Sequence, residues 1–133
     1  MTKTSLLALQ MSVYAKLASH TPLTSKISGV YDEVSEGTAY PYVTIGNPTV
    51  NDWGSHTTEG EDITLTLHVW SDYKGKREVY EIFNLILEAL TTTLTLSGGF
   101  SMEFQRREFM EVLEDNVTNA RHGVIRLRYK IMQ

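Results

Sequence analysis

The chain has 133 residues, 41% of them hydrophobic and 21% charged, and a formal net charge of −4, which is ordinary for one water-soluble domain spanning residues 1–133. The absence of cysteine excludes disulfides, thiolate catalysis and cysteine-based metal centres. The acidic balance argues against a dedicated nucleic-acid binder, and no segment approaches the ~18 consecutive apolar residues of a membrane span, so no membrane contact is expected.

The first predicted element is an amphipathic helix from Ser5 to Ser19. Its apolar residues recur at helical spacing: Leu6, Leu9, Val13 and Leu17. Thr4 or Ser5 is placed to cap the first turn. Pro22 is expected to end the helix, because it lacks a backbone donor and its ring clashes with the preceding turn.

Two short strands are predicted next, at Val30–Val34 and Tyr42–Gly46, and they could pair as a hairpin. The segment from Asn47 to Gly60 follows, with fourteen largely polar residues. Because connections usually take about 4–6 residues, this length favours a functional or partner-ordered loop. The alternative is that part of the segment extends the flanking strands.

A strand from Glu61 to Trp70 alternates apolar and polar residues, which is typical of a strand covered on one side. The second helix is predicted from Lys76 to Thr91, with Gly75 as its N-cap and Glu78 three residues further on.

The last two predicted strands are Phe100–Val112, with a bulge where the alternation becomes irregular near Met102 and Phe104, and Val124–Ile131. The predicted fold is α+β, in the order α-β-β-β-α-β-β: an antiparallel sheet of about five strands with two helices packed on one face.

No motif indicates catalysis, a cofactor or a metal. The four histidines lack the spacing of four that pairs ligands on a helix, so neither a metal nor a cofactor is expected. Asp52, Ser55 and His56 lie close together and leave open a small hydrolase, but no Gly-x-Ser-x-Gly elbow accompanies them. We therefore expect a protein that is not an enzyme.

Arg126, Arg128 and Lys130 alternate along the last strand and share its polar face. They could contact phosphates, which leaves open a small nucleic-acid-binding module. They could also keep an edge strand from uncontrolled pairing, or meet an acidic partner. Trp53, in an otherwise polar segment, is the side chain most typical of an interface anchor.

Several short sequence motifs, in the order in which they occur, resemble those of the tail completion, or head-to-tail joining, proteins of long-tailed bacteriophages and prophages. They are Gly29-Val-Tyr-Asp, Tyr40-Pro-Tyr-Val-Thr-Ile-Gly, Asn51-Asp-Trp and Leu65-Thr-Leu-His-Val-Trp-Ser, followed by the helix beginning near Gly75. The resemblance implies a structural virion protein at the head-tail interface, present in the host bacterial cytoplasm during assembly.

The same resemblance implies a homo-oligomeric ring, commonly of six copies, that contacts the tail tube protein and the head connector or adaptor proteins. DNA would pass nearby without specific binding, and no cofactor would be needed. The segment around Asn51, Asp52 and Trp53 would be flexible and become ordered on assembly. Together with these, the interface candidates are His56, Arg126, Arg128 and Lys130.

Overall fold

The computed structural model describes residues 3–133, which form one six-stranded sheet with helices on one face. Within that range the helices are α1 (Leu6–Ser19), α2 (Thr21–Thr24) and α3 (Arg77–Ala89). The strands are β1 (Val30–Tyr31), β2 (Tyr42–Ile45), β3 (Thr49–Asp52), β4 (Gly60–Ser71), β5 (Ser101–Glu114) and β6 (Arg121–Met132). None of these helices is long and apolar enough to span a membrane.

The sheet has the order β1-β2-β4-β6-β5, and β3 pairs with the first half of β4 on the edge that β2 occupies further along. The predicted hairpin between the first two strands is wrong, because β1 runs parallel to β2, with Val30 opposite Val43. The segment between them returns to the starting end of the sheet through the cis peptide bond at Tyr40–Pro41.

The core lies between one face of the sheet and the helices. Alternate residues of β4 and β6 point into it and are almost completely buried: Ile63, Leu65, Leu67 and Val69 from β4, with Ile125, Leu127, Tyr129 and Ile131 from β6. Helix α3 lies directly on these strands, because a Cβ added at Gly123 would be 2.6 Å from Val79 and 2.7 Å from Phe83. The strict alternation therefore separates a covered face from an open one.

The α+β class is confirmed, with one strand more than predicted. Strand β3 lies inside the segment predicted as a loop, and a turn over residues 53–59 joins it to β4. The backbone N–H of Trp53 donates to Gly60 O at 2.9 Å, and that of Ser55 donates to Thr58 O at 2.8 Å. Of the fourteen residues, five are therefore in strands: the four of β3, which is a strand of its own, and Gly60, the first residue of β4.

The predicted cap of α3 is wrong, whereas for α1 the Thr4 alternative is confirmed, because the first backbone N–H of the helix, from Leu6, donates to Thr4 Oγ1 at 3.3 Å. Helix α3 begins after Lys76 without a side-chain cap, and Glu78 instead accepts a hydrogen bond from Ser71 Oγ at 2.6 Å. Ser5 is the N-cap residue of α1 but makes no cap through its hydroxyl, which donates to Glu61 on β4. Pro22 ends α1 as predicted, and it also lies in the first turn of α2, where its missing donor costs nothing.

Strand β5 forms one edge of the sheet and carries two irregularities. Its pairing with β6 shifts between Met102 and Phe104 and again between Arg107 and Phe109. Each shift leaves one extra residue, Glu103 or Glu108, outside the ladder. The bulge predicted near Met102 and Phe104 is confirmed.

Candidate assembly surface

The sheet face that carries no helix, here called the outer face, presents the polar residues of β4 and β6 together with side chains of β5. Ladder pairing aligns Asp62, Lys130 and Phe104 in one row across the three strands. The next rows bring Arg128 beside Arg106 and Arg126 beside Phe109. Cations and aromatic rings therefore alternate over one half of this face.

Arg128 is held by Asp62 in a two-point contact. Its Nε donates to Oδ1 at 3.0 Å and its Nη2 to Oδ2 at 2.7 Å. The hydrogen bonds from Arg128 lower the pKa of the Asp62 carboxyl, and they raise the pKa of the guanidinium in turn. This pair fixes one of the predicted interface cations in a planar fork geometry.

Lys130 lies between two aromatic rings that come from distant parts of the chain. Its Nζ is 5.4 Å from the centre of the Trp53 ring and 5.2 Å from that of Phe104. Arg126 is similarly placed, 4.8 Å above the ring of Phe109. Cation–π contacts of this kind attach the turn after β3 to the basic strand, so the structure joins two sets of residues that the sequence presents separately.

The remaining interface candidates lie in the hairpin formed by β3, the turn over residues 53–59 and the start of β4. Asn51 pairs with Asp62 on the outer face, while Asp52 pairs with Glu61 and so falls on the opposite side of the strand. His56 is exposed in the turn. Of the seven candidates, Asn51, Trp53, Arg126, Arg128 and Lys130 therefore share the outer face, and Asp52 does not.

Asp52, Ser55 and His56 line one open depression in the turn, but they are not joined as a nucleophile and its base. Ser55 Oγ contacts Thr58 Oγ1 at 2.8 Å, and in the described part of the chain it makes no hydrogen bond to Asp52 or His56. Nor does any group of three or more histidine or acidic side chains within residues 3–133 meet the geometry of a metal site.

A second cluster on the outer face was missed by the sequence reading. His122 stacks on Trp70 with ring centres 3.9 Å apart and planes 8° apart, and its Nε2 is 2.7 Å from His68 Nδ1. Burial lowers the pKa of both imidazoles, and each favours a neutral neighbour at this distance. The alternation of the strand from Glu61 to Trp70 predicts His68 on its polar face, but His122 precedes the predicted start of its strand at Val124.

The open sheet face of this small α+β domain, with its packed cations and aromatic rings, is suited to contact with another macromolecule. The chain is a member of the Tail completion protein gp17 family, which matches residues 11–131. Tail completion protein gp17 of Bacillus phage SPP1 is 30% identical over 124 residues, or 93% of this chain and 92% of that protein.

Solved structures share the architecture. Bacteriophage SPP1 gp17 aligns with a TM-score of 0.67 and 29% identity, over 96% of this chain and 91% of that one. A chain from the virion of a native gene transfer agent particle aligns with a TM-score of 0.85 over 98% of both chains. At 23% identity this second likeness shows the fold. The predicted family is confirmed.

Proposed function

We propose that this chain completes the upper end of a phage tail as a homo-oligomeric ring, of six copies, and joins that end to the head connector. Its membership of the tail completion family over residues 11–131 is the observation that carries the proposal. The ring assembles in the host bacterial cytoplasm and remains at the head-tail interface of the virion. Its partners are the tail tube protein on one side and connector or adaptor proteins on the other.

The outer face supports a role in contact, without catalysis. Trp53 is an aromatic anchor of the type that dominates interface energetics, and it is fixed in place by Lys130. Asn51 lies beside Trp53 on β3, whose four residues are all exposed. This exposed hairpin is therefore a feature that a neighbour in the particle can bind.

The nucleic-acid alternative is weakened by the arrangement of the basic strand. Arg128 is paired with Asp62, while Lys130 and Arg126 are packed on aromatic rings. A phosphate-binding site needs cations that are free to replace counterions. We therefore assign these residues to holding the protein surface, with DNA passing nearby and not bound specifically.

The test is electron microscopy of particles produced without this chain. Full heads and complete but separate tails are expected, and supplying the wild-type chain in the same cells should restore joined particles. Joined, infectious particles in the absence of the chain would overturn the proposal. Tails of irregular length attached to heads would show a role in tail growth instead, and would overturn the joining role.

A further inference from the structure

Helix α1 carries an apolar ridge that no described element covers. Leu7, Met11 and Tyr14 are 71%, 57% and 48% exposed, and their spacing of four and three places them on one stripe of the helix. The flank of α1 that includes Lys16 faces Thr95, in the segment after α3. The ridge lies on the other side of α1 from that flank. Helix α1 packs on α2, on α3 and on β1, which is at the opposite end of the strand order from β5.

The opposite end of the molecule has an apolar trough between α3 and β5. Tyr80 and Met110 are 52% and 37% exposed on its two walls, and Phe83 and Val112 lie below them. The far flank of α3 is already occupied, since Glu81 pairs with Lys26 beside α2 at 2.7 Å. One side of α3 is therefore covered by the segment that carries Lys26, while the side that faces β5 is open and forms the trough.

Charge differs between the two ends. The trough itself is lined by Lys76 and Glu111. Further along α3, a neighbouring depression is lined by Arg107, which lies opposite core-facing Leu127 and so on the helix-covered side of β5. The loop of residues 32–39, which follows edge strand β1, has three carboxylates and no cation. Asp32, Glu33 and Glu36 are exposed, and in the described part of the chain they form no ion pair.

We propose that the occupant of the trough is a second copy of this chain, which inserts the α1 ridge while its acidic loop meets the cations along α3 and β5. The inference rests on the proposed ring and names its subunit contact. Ridge and trough lie at opposite ends of the molecule, so the contact is heterologous. Such a contact repeats from copy to copy and closes when the rotation allows.

The size of the contact also fits this occupant. The ridge and the acidic loop together are far fewer than the about 20–30 residues a side of a stable two-chain interface. A single joint is therefore too weak to hold a dimer in dilute solution. In a closed ring every copy makes two joints at once, so the free chain stays monomeric and associates on the tail end.

Cysteine cross-linking tests the contact, because the chain has no cysteine of its own. A Met11→Cys/Met110→Cys variant is supplied to cells whose phage lacks the wild-type chain, and the purified particles are treated with a short bismaleimide. Denaturing gels should show a ladder of covalent multimers that ends at the copy number of the ring. At least a tenfold excess of multimer is expected over either single variant.

The controls separate the contact from the ring itself. Met11→Cys alone should stay monomeric, and a Met11→Cys dimer would show a two-fold contact and overturn the inference. A Met11→Cys/Thr66→Cys variant, with its second thiol on the outer face, should also stay monomeric, and a ladder there would overturn the inference. Intact particles that contain the double variant but give no ladder would overturn the contact and leave the proposed function standing.

Particles that join without incorporating even the wild-type chain would overturn both proposals. If the first double variant is not incorporated whereas the wild type is, Tyr14→Cys/Tyr80→Cys provides the same readout from the same two walls. Absence of a ladder from that pair in intact particles would overturn the contact.

Discussion

Glu61 fastens α1 to the sheet through Ser5. Its Oε1 accepts hydrogen bonds from the backbone N–H of Ser5 at 2.8 Å and from the Ser5 hydroxyl at 2.7 Å. A third bond comes from Thr4 Oγ1 at 3.1 Å. Burial alone would raise the pKa of this carboxyl, but these hydrogen bonds outweigh burial and lower it. A carboxylate on β4 thus caps the helix that carries the ridge, at the end where the helix dipole favours negative charge.

Glu61→Ala should lower the free energy of unfolding by about 2–3 kcal/mol, because it leaves two donors of fully buried Ser5 without a partner. Urea denaturation followed by circular dichroism measures the change. Glu36→Ala, in the exposed loop after β1, should change stability by less than about 0.5 kcal/mol. A loss at Glu61 no larger than that of the control would contradict the cap.

The His68 and His122 pair should make stability depend on pH below neutrality. Burial lowers the pKa of both imidazoles in the folded state, so the unfolded chain binds more protons there. The contribution of the two histidines to the free energy of unfolding is therefore fully present above the ordinary histidine pKa of about 6.5. It is lost as the pH drops through the lowered pKa values of the folded state. Thermal or urea unfolding between pH 7 and pH 5 measures the slope.

His122→Gln should flatten that slope, since it removes one titrating ring and the partner of the other. Val124→Ala, a change beside the pair on the same face, should keep the wild-type slope. An unchanged slope in His122→Gln would show that the pH dependence has another source.

Gly123→Ala should destabilise the fold by about 1–3 kcal/mol, because the added methyl group overpacks the contact between β6 and α3. The new Cβ would lie 2.6 Å from Val79 and 2.7 Å from the Phe83 ring. Phe83→Leu provides space at that point, so the double variant should lose less than the sum of the two single changes. Strict additivity in urea unfolding would contradict a direct clash.

Trp53→Ala should reduce the yield of joined particles at least tenfold while costing the free protein only about 0.5–1 kcal/mol, the worth of an exposed cation–π contact. Trp53→Phe keeps a ring over Lys130 and should retain part of the yield. Val117→Ala, at the 94% exposed tip of the turn between β5 and β6, is the matched surface control. Normal joining by Trp53→Ala particles would remove the hairpin from the assembly surface.

The parts of the fold that the sequence predicted are those with strong periodicity. Strand β4 alternates over twelve residues, and α3 has a broad apolar face, so both could be found from local pattern alone. Strand β3 could not, because all four of its residues are exposed and no alternation marks them. The parallel pairing of β1 was also missed, because the sequence of a two-residue strand does not indicate whether it pairs parallel or antiparallel.

The candidate surface was predicted only in pieces. Trp53 and Lys130 were each identified by residue type, yet their contact joins positions 77 residues apart along the chain and depends on the sheet register. His68 and His122 likewise meet because β4 and β6 are neighbours. Strand order and register depend on how the whole core packs. Local spacing therefore identified individual residues of each cluster, but it could not show which of them contact one another.

The two extra glutamates of β5 have a consequence for the supply of subunits. A straight fourteen-residue edge would offer its unpaired backbone groups to any other chain and could seed stacked, fibre-like aggregates. The interruptions at Glu103 and Glu108 break that template into short pieces and add a negative charge at each break. The free subunits are therefore protected from joining edge to edge before they are used in assembly.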